Sequence, residues 1–227
     1  MHICVSDRMR RWLISGIGAN PANVHVLYDR PTTRFQFPDE KRRLSVKDEV
    51  LKAISVKLPS NNVLVVSSTS WTPDEDFDLV LRALDQLDPL IGGGSYKKIT
   101  LIITGKGPLR DDFMKSVHGK NFRNIEVVSM WLEPDLYPKM LYICDVGLSV
   151  HCSSSGLDLP MKLVDMIGSG LPVLAFDYPC LSEVLSDDSV SYRFKNEQDL
   201  VSQLKVLCIL SCADSKSYST YVVPSAI

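Results

Sequence analysis

From residue 62 onward, runs of aliphatic and β-branched residues alternate with stretches of helical period, and that alternation leaves the chain few folds to choose from. Strand candidates stand at 63–68 (VLVVSS), 99–104 (ITLIIT), 125–129, 145–150 (DVGLSV), 172–175 and 190–194. Between the first two, 77–87 (FDLVLRALDQL) places Leu79, Val80, Ala83, Leu84 and Leu87 on one helical face. Further helices are expected at 109–117, 136–143, from Pro160 onward and at 197–210. The predicted fold class is α/β, a Rossmann-like parallel sheet with helices on both faces.

The ends read differently. Residues 1–27 offer a strand at 2–5, a helix near 9–14 and a strand at 24–27, followed by a polar, Pro-containing passage over 29–47. We read 1–47 as the remnant of a junction between domains, 48–210 as the main domain, and 211–227 as a tail that lacks helical period and is expected to be poorly ordered. The chain has 227 residues, 45% of them hydrophobic and 23% charged, which suits one sizeable core and argues against general disorder. A net charge of −2 supplies no basic field, so no nucleic-acid partner is expected. No run approaches the roughly 18 to 20 apolar residues of a spanning helix, and Asp7, Arg8, Arg10 and Arg11 stand where a signal peptide would be apolar. The six cysteines are scattered without paired spacing and read as reduced, packed thiols.

In a sheet of this kind ligands bind beyond the carboxyl ends of the strands, which here are 67–71, 104–108, 130–133 and 151–156. Polar and glycine residues collect at those ends. The stretch 153–173 (SSSGLDLPMKLVDMIGSGLPV) reads as a Ser/Gly loop, a helix with Pro160 in its first turn, and a strand. Amides of Ser154, Ser155, Gly156 and Leu157 would then be free at the helix start, where the dipole favours phosphate. Lys162 and Asp165, three residues apart, share a helix face and suit a diphosphate and a ribose respectively. A nucleotide-sugar site follows as the leading expectation.

The segments VSSTSWTPDEDF from Val66, IITGKGPLR from Ile102, WLEPDLYP from Trp131 and the stretch from Ser153 together resemble the carboxyl-terminal half of the chitobiosyldiphosphodolichol β-mannosyltransferases of the dolichol pathway. Four blocks in order are more specific than one glycine motif. The resemblance covers about residues 1–207 and implies the donor-binding half of a GT-B fold, transferring mannose from GDP-mannose to lipid-linked chitobiose in N-glycan precursor assembly at the cytosolic face of the endoplasmic reticulum, without metal or other cofactor. It also implies that the amino-terminal, acceptor-binding half is absent, so this chain alone should transfer sugar poorly.

Carried over by position, Ser68 and Thr69 would lie beside the donor phosphates, with Lys106, between Gly105 and Gly107, offering an ammonium to the leaving diphosphate. Ser154, Ser155, Gly156 and Leu157 would give amides, Lys162 a second cation, and Asp165 an acceptor for ribose. Trp131 and Leu132 would line the base pocket. The paired glutamates that the wider class often places here are Leu157 and Asp165 in this chain, so the sugar-contacting role falls to Asp158.

Each residue also has a plainer reading. The Ser/Gly loop could only cap the helix, Lys106 could be a solvated lysine, and Asp165 could pair with Lys162 on the helix face. His151 could be an acid or base, but no partner carboxylate is identifiable, which favours a core or loop histidine. Trp71 and Trp131 could be core or lid residues. Asp74, Glu75 and Asp76 read as a charged first turn complementing a helix dipole. A catalytically silent nucleotide-binding chain that associates with a full-length mannosyltransferase or another dolichol-pathway transferase, and a UDP-sugar transferase, remain as competing functions.

Overall fold

The computed structural model describes residues 1–35, 40–54, 58–59, 61–93, 96–185 and 191–210. The chain opens with β1 (His2–Cys4), α1 (Asp7–Ile17) and β2 (Val24–Val26), and the two strands pair in parallel. α2 (Glu40–Ala53) follows. Then come β3 (Val63–Ser68), α3 (Phe77–Leu90), β4 (Ile99–Thr104), α4 (Arg110–Lys120), β5 (Ile125–Met130), α5 (Tyr137–Ile143), β6 (Val146–Ser149), α6 (Met161–Gly168), β7 (Val173–Phe176), β8 (Ser191–Phe194) and α7 (Glu197–Leu210).

The last six strands form one all-parallel sheet in the order β5-β4-β3-β6-β7-β8. Successive residues of β3 face opposite ways: Val63 and Val65 join a core beneath α3, α4 and α7, and Leu64 and Val66 join one beneath α2, α5 and α6. Both faces are covered, which is why these strands are apolar along their length. Each fully buried leucine, such as Leu84 or Leu163, contributes about 1.5–3 kcal/mol of transfer free energy. The expected Rossmann-like fold is therefore observed.

α2 is the element that the sequence concealed. It lies largely within the polar passage read as a junction, and it crosses residue 47, where that reading divided the chain. Only Val46 and Val50 of its described residues are fully buried, packing with α5, so its apolar stripe is too thin to register as a period. The amino-terminal unit is fastened to the main sheet by Glu183, whose carboxylate accepts from Asp7 N at 2.6 Å, Arg8 N at 3.0 Å and the Tyr28 hydroxyl at 2.9 Å. Ser6 at the cap of α1 also donates to the carbonyl of Leu157. The expected tail at 211–227 lies outside the described residues, as does Gly94 of the glycine run at 92–94.

Candidate functional site

The chain runs outward from β3 through β4 to β5, then returns to place β6 on the other side of β3. This reversal opens a crevice between the carboxyl ends of β3 and β6, the position at which such sheets bind ligands. Loop 69–76 enters it from β3 and loop 150–160 from β6.

Gly105 and Gly107 let the loop after β4 lie directly on the loop after β3. A Cβ on Gly105 would stand 1.8 Å from the carbonyl oxygen of Thr69, and one on Gly107 would stand 1.9 Å from that of Ser70. Gly105 also has φ of +140°, which side chains rarely adopt. Between them Lys106 is exposed, with Nζ 4.4 Å from the ring centre of Trp131, itself 52% exposed. Trp71 is the core tryptophan, stacked with Phe77 and Phe113. Leu132, expected in the base pocket beside Trp131, is instead buried in the core under α5. A cavity of about 400 Å3 lies between the loop after β3 and the start of α4, lined by Trp71, Glu75, Phe77, Asp78, Leu109 and Asp112.

Glu75 is the hub of the β3 loop, and the reading of it as a surface charge on the first turn is corrected. Its side chain is 3% exposed and accepts from Thr69 Oγ1 at 2.5 Å, Ser70 N at 2.8 Å and Lys162 Nζ at 2.7 Å. Asp76 supplies the cap of α3, accepting from Leu79 N. Thr69 Oγ1 also accepts from Trp71 N, so this hydroxyl is committed inside the loop and is not turned to a phosphate. Lys162 does not pair with Asp165; it holds Glu75 and Ser70 Oγ, the latter at 3.1 Å.

The Ser/Gly loop does not start the helix. α6 begins at Met161, with Pro160 as its extended cap, four residues beyond Leu157. Two of the four amides expected to be free are taken: Gly156 N donates to Ser153 Oγ at 2.8 Å and Leu157 N to Ser155 Oγ at 3.2 Å. Ser154 and Ser155 are exposed. Asp158 closes the loop: Oδ1 accepts from Ser153 and Ser155, and Oδ2 faces His151 Nε2 at 3.3 Å. Burial pushes its pKa up, but the serine and histidine contacts outweigh it and hold the carboxyl below its ordinary value. The contacts of this carboxylate within the described residues are thus to its own loop and to His151 rather than to the helix that follows.

His151 does have carboxylate partners. Its Nδ1 lies 3.2 Å from Asp74 Oδ2, opposite the contact with Asp158. The hydroxyl of Thr72, with His151 and Lys162, holds the Asp74 carboxyl below its usual range. Asp74 comes from the other loop, and Asp158, seven residues on, lies in a loop without the fixed spacing of a helix or strand, so neither could be matched to His151 from the sequence.

Ser68 Oγ donates to the hydroxyl of Tyr137 at 2.9 Å, a residue the sequence did not single out. Asp165 borders this pair and has no side-chain partner among the described residues; burial alone raises its pKa to about 6. α6 therefore brings Lys162 and Asp165 to the end of β3, one to Ser70 and the other beside Ser68 and Tyr137, which leaves a carboxylate acceptor and a lysine at the crevice and Lys106 on the adjoining loop after β4.

A family model described as glycosyl transferases group 1 matches residues 60–208. The chain belongs to that family. Among curated members it is 36% identical over 210 residues to the chitobiosyldiphosphodolichol beta-mannosyltransferase of Candida glabrata, covering 89% of this chain and 47% of that protein. The human protein of that name is 40% identical over 171 residues, with 75% and 37% covered, and the mouse protein is 39% identical over 241 residues, with 91% and 48% covered. The chain thus spans about half the length of the curated relatives it matches. Among solved glycosyltransferases it is similar to WaaG (TM-score 0.68, 14% identity, 97% of this chain and 59% of that one) and to Anabaena HepE in complex with UDP and glucose (0.67, 16%, 98% and 55%). It is also similar to the C-terminal domain of the group 1 protein LpcC from Francisella tularensis (0.56, 17%, 83% and 90%). These likenesses establish the Rossmann-like α/β fold.

Four of the five described cysteines are buried and Cys152 is exposed, a departure from the packed thiols expected there; Cys212 lies outside the described residues. Among the described residues no cluster of three His, Cys, Asp or Glu has metal-holding geometry, and no helix is long and apolar enough to cross a membrane.

Proposed function

We propose that this chain is the donor half of a mannosyltransferase that takes mannose from GDP-mannose to a dolichol-linked chitobiose, in the assembly of N-glycan precursors at the cytosolic face of the endoplasmic reticulum. The observation that supports it best is the 36–40% identity to enzymes named for that reaction, along a chain whose switch-point crevice carries a free, half-buried carboxylate.

In this reading Asp165 accepts from the ribose hydroxyls, Trp131 stacks on the base, and the amides of Ser154 and Ser155, without a partner among the described residues, face the phosphates. When an acceptor hydroxyl attacks the anomeric carbon, the bond to the diphosphate breaks and negative charge grows on the leaving oxygen. Lys106 is exposed and meets it, and Lys162 retains one N–H beyond those given to Glu75 and Ser70. The two ammonium groups supply the neutralisation, so the proposal requires no protein-held metal. The acceptor and its base belong to a second domain, supplied by a longer form of the protein or by a partner transferase.

Calorimetric titration with GDP-mannose, GDP and UDP tests the reading. Binding of the guanine ligands in preference to UDP, weakened in Asp165→Asn, supports it. A folded chain that binds none of the three, or prefers UDP, overturns it.

A further inference from the structure

The two loops that enter the crevice are joined by more than packing. Residues 75 and 151 form an isolated antiparallel bridge, and Cys152 N donates to the carbonyl of Asp74 at 2.9 Å. On this backbone link His151 places one ring nitrogen against each loop: Nδ1 on Asp74 of the β3 loop and Nε2 on Asp158 of its own. Its side chain is 19% exposed, and the ring of Tyr178 stands edge-on at 6.3 Å while the Tyr178 hydroxyl donates to the carbonyl of Asp158.

We propose that His151 is a positioning residue that ties Asp74 to Asp158 across the switch point and so shapes loop 151–158 to receive the diphosphate of a nucleotide sugar. The inference rests on the donor-domain reading and deepens it. Asp158 in turn fixes Ser153 and Ser155, and these hydroxyls fix the amides of Gly156 and Leu157. The path from His151 into the backbone of loop 151–158 is thus a chain of hydrogen bonds with one carboxylate in its middle, and it sets the course of the chain that carries the amides of Ser154 and Ser155. A ring with a nitrogen at each end spans the gap. An aliphatic side chain of similar volume offers no polar atom to either side, and an amide laid across the gap would turn its acceptor oxygen to one of the two carboxylates; without the ring the two carboxylates face one another across a partly buried space, where like charges repel. The other charged group that reaches this cluster is Lys162, through Asp74.

The test compares His151→Ala and the volume-conserving His151→Gln with the unaltered chain by two measurements. The first is calorimetric affinity for GDP-mannose, GDP and guanosine. The second is amide hydrogen exchange across 151–158. Both variants are expected to lose about tenfold in affinity for the two diphosphate ligands, the worth of one charge-assisted hydrogen bond, with guanosine affinity unchanged and exchange at Gly156 and Leu157 faster by a similar factor. A purely structural residue would weaken guanosine and GDP alike. That result, or affinity and exchange as in the unaltered chain, overturns the proposal. If the unaltered chain binds no guanine ligand, the donor-domain reading fails by itself, and unchanged exchange in the variants then also sinks the positioning role.

Discussion

Glu75 and Lys162 stand 87 positions apart in the chain and 2.7 Å apart in space, a buried carboxylate from the β3 loop gripping an ammonium on the first turn of α6. The contact joins the two sides of the crevice, and it gives a lysine that the sequence had read as a phosphate ligand or a partner of Asp165 a different partner. Replacing Lys162 by Met leaves the Glu75 carboxylate buried with only Thr69 and the Ser70 amide. This variant is expected to lose about 2 kcal/mol of stability in urea denaturation. Combined with Glu75→Gln, it should cost less than the sum of the two single changes, the signature of a direct pair.

The glycines at 105 and 107 permit a backbone approach that no side chain allows. Gly105→Ala and Gly107→Ala each drive a methyl group into a carbonyl oxygen of the β3 loop. A loss of more than about 3 kcal/mol, or failure to fold, is expected of each. Thermal unfolding within a degree or two of the unaltered chain would contradict the close approach.

Asp165 gives the chain two opposite responses to pH. Its pKa is raised by burial to about 6, above the ordinary carboxyl value of 3.8 that it regains on unfolding. Folding therefore favours the protonated form. The associated stability is fully present below about 3.8 and is lost as pH rises through about 6, by about 2 kcal/mol. Affinity for a ribose-bearing nucleotide moves the other way, because the ionised carboxylate is the better acceptor. Asp165→Asn should flatten both curves. Denaturation and titration at pH 4.5, 6 and 7.5 would show it, and unchanged pH dependence in the variant would refute the assignment.

Lys106 is exposed over the face of Trp131 and has no ion-pair partner among the described residues. Lys106→Met should change stability by no more than about 1 kcal/mol, the usual worth of an exposed cation–π contact. It should weaken GDP-mannose about tenfold while leaving guanosine untouched. Equal affinity for GDP-mannose in the variant would remove Lys106 from the phosphate site.

The strand and helix register was largely legible because it is a local property. VLVVSS, ITLIIT and DVGLSV carry their own burial pattern, and the helix with Leu79, Val80, Ala83, Leu84 and Leu87 declares its inner face within eleven residues. α2 escaped because Val46 and Val50 are a thin stripe in a charged segment. Among the site residues, the sequence left Trp131 open between pocket, core and lid and Asp165 open between a ribose acceptor and a partner of Lys162; the structure exposes Trp131 and leaves Asp165 without a side-chain partner among the described residues.

Sequence by itself determined that this chain would build a parallel sheet with helices on both faces and gather its polar loops at one edge, since apolar period and loop composition act over a few residues. Tertiary structure alone decided what those loops do to one another. Because β6 returns to lie against β3, two loops distant in the chain share one crevice. There Glu75 takes Lys162, and His151 finds both Asp74 and Asp158. A buried charge must be matched by whichever partner the strand order brings within about 3 Å, and no local pattern encodes that order.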